Sequence, residues 1–183
     1  MSEQMLIQHC SPTLAGMKTG NMFTCTYTTP AEVKEYVRSL NRRLHHKGLR
    51  VLPLWYSGQR VLIYVYRPSH LSRDLQNQLA NSLLAERGYP CLTPERRILF
   101  LMERLRESAT FPHEIGLFLG YPPEDVSGFI ENKPGSCKCV GHWKVYGNMA
   151  EAQRIFDQYK KCTDVYCRCW AAGESLERLT VRS

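Results

Sequence analysis

Hydrophobic positions recur along this chain with two distinct periods. In Pro30–Lys47, Val33, Val37, Leu40 and Leu44 form one stripe, and Lys34, Arg38 and Arg42 form another at four-residue spacing. That pattern predicts an amphipathic helix, with Gly48 as its stop. The period then shortens: Leu49–Trp55 and Arg60–Tyr66 read as strands joined across a short Gly-containing connection. Val61–Tyr66 is apolar or aromatic at every position, which predicts a central strand covered on both faces. Nearer the amino end, Cys10–Lys18 reads as a turn containing Pro12 and Gly16, and Asn21–Tyr27 alternates as a further strand.

The remainder is mostly helical in pattern. Ser69 is positioned to cap a helix running to Arg87 with Leu71, Leu75, Leu79 and Leu83 inward, stopped by Gly88-Tyr89-Pro90. Pro94–Arg106 predicts a helix whose Ile98–Met102 run belongs in the core. Two short helices follow, Pro112–Leu119 and Pro122–Glu131, hinged at Gly120-Tyr121-Pro122. Lys133–Gly135 reads as a loop and His142–Tyr146 as a short strand. Asn148, with Glu151 three residues on, marks the start of a helix through Tyr159, and a short helical segment is expected after Cys162. The expected fold is therefore α+β: a small mixed or antiparallel sheet flanked by helices, and a mainly helical carboxyl half containing a helix-turn-helix-like pair. A length of 183 residues suits a single domain over 1–183, with a candidate subdivision into 1–92 and 93–183.

Charge adds an asymmetry. The net charge of +7 resides in residues 1–110, and Lys34–Arg67 carries eight basic residues against Glu35 alone. Such a segment fits a phosphate-rich or carboxylate-bearing partner, or simply a solvated face. The longest apolar runs, Val61–Tyr66 and Ile98–Met102, fall far short of the roughly 20 residues needed to cross a bilayer, so no membrane partner is expected. The first ten residues lack a basic region followed by an apolar stretch, and a cytoplasmic location is the expectation. The eight cysteines then read as thiols, metal ligands or a nucleophile rather than as disulfides.

Three segments together resemble an uncharacterised bacterial protein family, a domain of unknown function: Cys10–Lys18 (CSPTLAGMK), Val65–Pro68 (VYRP) and Pro112–Asn132 (PHEIGLFLGYPPEDVSGFIEN). Gly141–Tyr146 (GHWKVY) supports them. The resemblance spans nearly the whole chain and implies one domain and a bacterial cytoplasmic source; it brings no activity or catalytic residue with it.

Three constellations could carry chemistry. In the first, Cys10, Lys18, Arg67, His113 and Glu114 surround a pocket for a small anionic ligand or cofactor. Lys18 and Arg67 would anchor the anion, and Tyr121 and Asn132 would add hydrogen bonds. If catalysis occurs there, Cys10 serves as nucleophile or redox thiol, His113 as acid and base and Glu114 as its orienter, because a thiol needs a neighbouring cation or histidine to ionise. The plainer assignment makes Cys10 a small buried hydrophobe and His113 and Glu114 helix-terminus residues. In the second, Cys137, Cys139, Cys167 and Cys169, with Cys162 and His142 in reserve, offer thiolates for zinc or an iron–sulfur cluster, although one-residue gaps are short for a zinc knuckle.

The third treats Pro94–Tyr146 as a winged helix-turn-helix. Glu114, Glu124, Asp125 and Glu131 without a single Lys or Arg in Phe111–Asn132 argue against duplex DNA. Nucleic-acid binding would instead use the basic 34–67 surface, with Trp55, Tyr56, Tyr64 and Tyr66 as candidate stacking rings. An adaptor whose amphipathic elements form a protein interface is a further class, and the oligomeric state is not encoded in any pattern found.

Overall fold

The computed structural model describes residues 2–90, 93–107, 111–132 and 136–182. The fold is α+β, with nine α-helices, a three-stranded antiparallel sheet and a two-stranded hairpin among the described residues. The chain forms two compact units, residues 1–69 with 161–183, and residues 70–160. The cut considered between residues 92 and 93 falls inside the second unit.

The first unit is built on β1 (Gly20–Thr26), β2 (Arg50–Ser57) and β3 (Arg60–Tyr66) in the order β1-β3-β2. β3 is the central strand, and every residue from Val61 to Tyr66 is buried, as its unbroken apolar run requires. β2 is an edge strand and tolerates Pro53, where its register against β3 shifts. Val61, Ile63 and Val65 meet Leu6, Ile7, Cys10 and Leu14 of α1 (Glu3–Leu14) and Val33, Val37, Leu40 and Leu44 of α2 (Pro30–Leu44) in one core. Thr29 caps α2, Pro30 occupies its first turn, and Gly48 ends the short 3₁₀ turn that follows at φ 76°.

One expectation fails in this unit. Cys10 lies within α1 rather than in a turn, and the helix continues through Pro12 to Leu14. Leu6, Ile7, Cys10 and Leu14 make a helical stripe whose burial outweighs the local cost of proline.

The second unit contains most of α3 (Pro68–Asp74), then α4 (Gln78–Glu86), α5 (Pro94–Glu107), α6 (Ile115–Phe118), α7 (Pro123–Asn132) and the hairpin β4 (Cys139–Val140) and β5 (Lys144–Val145). α8 (Met149–Ala171) begins in this unit and ends in the first, where α9 (Leu176–Leu179) follows. The helix expected over Ser69–Arg87 is broken at residues 75–77. Asn77 accepts the Ala80 N–H and starts α4, while Asn81 Nδ2 and Arg97 Nη1 donate to the freed Leu75 carbonyl at 2.7 and 3.2 Å. The break changes the helical phase and leaves Leu79 exposed. In α5, Ile98, Leu101 and Leu105 face inward but Leu99 is exposed, so the Ile98–Met102 run is only partly core. Asn148 caps α8 through the Glu151 N–H, as read, yet the helix reaches Ala171 rather than Tyr159. The loop expected at Lys133–Gly135 lies outside the described residues.

No helix among the described residues is long and apolar enough to cross a membrane.

Candidate functional site

The site is assembled at the corner between α6 and α7. Gly120, at φ 73°, lets α6 close with Tyr121 N–H donating to the Gly116 carbonyl at 3.0 Å and Gly120 N–H to that of Leu117 at 3.3 Å. The closure folds Tyr121 back over Gly116. A Cβ at Gly116 would lie 2.9 Å from Val126 Cγ2 and 3.0 Å from Tyr121 Cδ2, so only glycine permits this approach.

Asp125 then fixes the hairpin to α7. Its Oδ2 accepts the indole N–H of Trp143, and its Oδ1 accepts the backbone N–H groups of Tyr146 and Gly147, each at 2.7 Å. The residue is buried, and three donors offset the cost of keeping its carboxylate from water. Tyr146 lies against Gly128, where a Cβ would come within 2.5 Å of its ring.

These contacts shape a half-open cavity of about 250 Å³. Phe111, Ile115, Val126, Phe129 and Trp143 give it apolar and aromatic walls, with Gly116, Tyr121 and Asp125 behind them. The Tyr121 and Trp143 rings are 5.0 Å apart, and His113 meets Phe129 edge-on at 4.8 Å. Lys144 Nζ sits 5.5 Å from the centre of the same Phe129 ring. Burial pushes the Tyr121 hydroxyl up to about 12, so it is a neutral hydrogen-bonding group near pH 7 rather than a base. The cavity therefore offers ring surfaces, one ammonium, one exposed imidazole, the Tyr121 hydroxyl and the Asp125 carboxylate, whose oxygens are already taken up by three donors.

A family model described as a protein of unknown function (DUF3793) matches residues 6–180. The chain belongs to this family. No curated protein and no solved structure matches it.

Within this DUF3793 chain the residues singled out from sequence divide between the two units. His113 and Tyr121 both line the cavity. Glu114, next in sequence, points elsewhere: its Oε1 accepts from Tyr89 at 3.1 Å and Arg104 at 2.7 Å, and its Oε2 is 3.9 Å from Arg87. Buried among two guanidinium groups and a phenol, Glu114 ties α4, α5 and α6 together. Asn132 is exposed at the end of α7 and does not line the cavity.

Cys10, Lys18 and Arg67 belong to the first unit. Cys10 is fully buried, and desolvation pushes its thiol far above the usual range despite the opposing influence of Lys18. Burial draws the Lys18 amine down to about 8. Arg67 is wholly buried and donates from Nε to the Thr13 carbonyl, from Nη2 to those of Leu14 and Val181 at 2.7 Å, and from Nη1 to that of Lys47. It joins the end of α1, the 3₁₀ turn and the carboxyl-terminal segment.

The cysteine pairs are also split, Cys137 and Cys139 in the second unit and Cys167 and Cys169 in the first. Cys167 packs against the first unit's core. Among the described residues no group of three or more His, Cys, Asp or Glu side chains is placed to hold a metal ion. Of the proposed stacking rings, Tyr64 and Tyr66 are buried and stack on each other at 4.6 Å, whereas Tyr56 is exposed.

Asp125, Phe129, Trp143 and Lys144 did not emerge as site residues from the sequence. The available signals were two segments of the family resemblance, Pro112–Asn132, which holds Asp125 and Phe129, and Gly141–Tyr146, which holds Trp143 and Lys144.

Proposed function

We propose that this DUF3793 protein binds a small ligand in the second unit's cavity, one with an apolar ring-shaped body and an anionic group. The supporting observation is the convergence of His113 and Lys144 on Phe129 in a cavity otherwise lined by aromatic and aliphatic groups, with the Asp125 carboxylate engaged by its three donors. Burial of a ring against Phe129 and Trp143 supplies most of the affinity, and Lys144 selects the acid by a charge-assisted contact. A volume of about 250 Å³ lies below the range of roughly 300–1,000 Å³ common for drug-sized ligands and points to a compact body. Reaction chemistry is no part of this reading, since the candidate nucleophile Cys10 is a buried core residue.

Calorimetry with 2-naphthoate and the uncharged 2-naphthylmethanol tests it. The acid should bind more tightly, and Lys144→Met should weaken it by about tenfold, equivalent to about 1.4 kcal/mol. Absence of saturable heat with either compound would reject the reading.

A second reading rests on α2, where Lys34, Arg38 and Arg42 remain exposed at four-residue spacing. Nucleic acid or an acidic protein would lie along this face, and affinity for a single-stranded oligonucleotide would fall steeply with salt. An affinity insensitive to salt would remove it.

A further inference from the structure

Trp143 is held in an unusual electrostatic setting for a cavity wall. Its indole N–H donates at 2.7 Å to a carboxylate that is itself buried and already accepts two backbone N–H groups. A carboxyl oxygen accepting the indole N–H, in a low-dielectric surround, polarises the ring and increases the electron density of its π face. The Tyr121 ring, tilted by 31° at 5.0 Å, and the Phe156 ring, edge-on at 4.6 Å, pack against the indole, and Tyr121 lines the cavity beside it. The only Lys or Arg among the described lining residues, Lys144, stands over Phe129 instead. The cavity thus separates rich π surface from positive charge.

We propose that the ligand's ring is an electron-poor, nitrogen-containing heteroaromatic of one or two fused rings bearing a carboxylate, of the pterin-carboxylate or pyridine-carboxylate class. This rests on the binding reading above. The negative face of an aromatic ring attracts the positive counterpart of an electron-poor one, just as it attracts a cation, and tryptophan is the strongest natural partner for that interaction. A hydrocarbon ring of equal size would gain the burial but not the donor–acceptor stacking. The carboxylate is the group that reaches Lys144, and the compact volume excludes a large appended chain from the cavity itself.

Pterin-6-carboxylate and 2-naphthoate provide the test, because both are bicyclic monocarboxylates with opposite ring electron demand. Titrated into the full chain, pterin-6-carboxylate should bind at least tenfold more tightly and produce a long-wavelength charge-transfer absorption. Trp143→Phe should reduce that absorption and weaken pterin-6-carboxylate by a larger factor than 2-naphthoate. Equal affinities without the absorption band would overturn the ring assignment while leaving acid binding intact. Failure of both probes to bind would overturn the binding reading and this inference together. The affinity ratio and the absorption band are read on the unsubstituted protein, so neither depends on whether Trp143→Phe folds.

Discussion

Asp125 and Trp143, 18 residues apart in sequence, are joined by a buried 2.7 Å hydrogen bond that fastens the β4–β5 hairpin to α7. The same carboxylate holds the backbone at Tyr146 and Gly147, so one side chain orders the wall carrying both Trp143 and Lys144. Asp125→Ala leaves three donors without their acceptor, and hydrogen bonds to charged groups contribute about 1.5–3 kcal/mol each without full additivity. A loss of about 3 kcal/mol is expected from urea unfolding, with Trp143 emission shifted to the red. Unchanged stability and emission would show that the hairpin is held by other contacts.

Arg67 performs the corresponding task in the first unit. Its guanidinium gathers carbonyls from Thr13, Leu14, Lys47 and Val181, which no ammonium on a flexible stem can do at once. Arg67→Lys should cost about 3 kcal/mol, in the range expected when a buried charged network loses a partner. Chemical denaturation measures it, and a loss below about 0.5 kcal/mol, typical of surface changes, would mean that Arg67 is not the clamp described.

Cys10 should be inert while the protein is folded. It is fully buried, and its thiol is pushed up by desolvation, so the thiolate needed for alkylation scarcely forms at pH 8. Under native conditions iodoacetamide should label Cys10 only at the rate of unfolding, and peptide mass spectrometry resolves it from the half-buried Cys137, Cys139 and Cys169. Rapid labelling of Cys10 would restore it as a candidate nucleophile.

Arg43 links Glu3 of α1 to Glu177 of α9. Its hydrogen bond holds the Glu177 carboxyl below the ordinary range. A depressed folded value means that the unfolded state binds the proton first, so stabilisation is complete above the unfolded value of about 4.3 and is lost as pH falls through the folded one. Because the groups are about one-third exposed, the pair should contribute only about 0.5–1 kcal/mol. Arg43→Gln should reduce stability by that amount at pH 7 and by progressively less toward pH 3, as urea midpoints across the range would show. A constant difference would rule out the ionic contribution.

The sheet and α2 were legible because each carries a one-dimensional signal: the unbroken apolar run of β3, the stripe on α2 and the stop at Gly48; α1 was not, because Pro12 and Gly16 made its carboxyl end read as a turn. Nor was the break at Asn77, since Leu71, Leu75, Leu79 and Leu83 keep helical spacing across it and the carbonyl freed at Leu75 finds its donors in Asn81, six residues on, and Arg97, 22 residues on. Arg67 after an apolar strand reads as a ligand anchor; its acceptors come from segments up to 114 residues distant. The same distance problem hid the site. His113 and Tyr121 lie in a recognisable segment, but Asp125 reads as one more acid on α7 until the fold supplies the indole that occupies it.

The most direct measurement is the ¹⁵N–¹H spectrum of the three tryptophan indoles, Trp55, Trp143 and Trp170, during titration with 2-naphthoate. The Trp143 indole resonance should begin downfield, as expected for a hydrogen bond to a carboxylate, and shift saturably while Trp55 and Trp170 stay in place. Saturable movement of Trp55 or Trp170 with Trp143 unmoved, or no movement at all, would contradict ligand binding in the second unit's cavity.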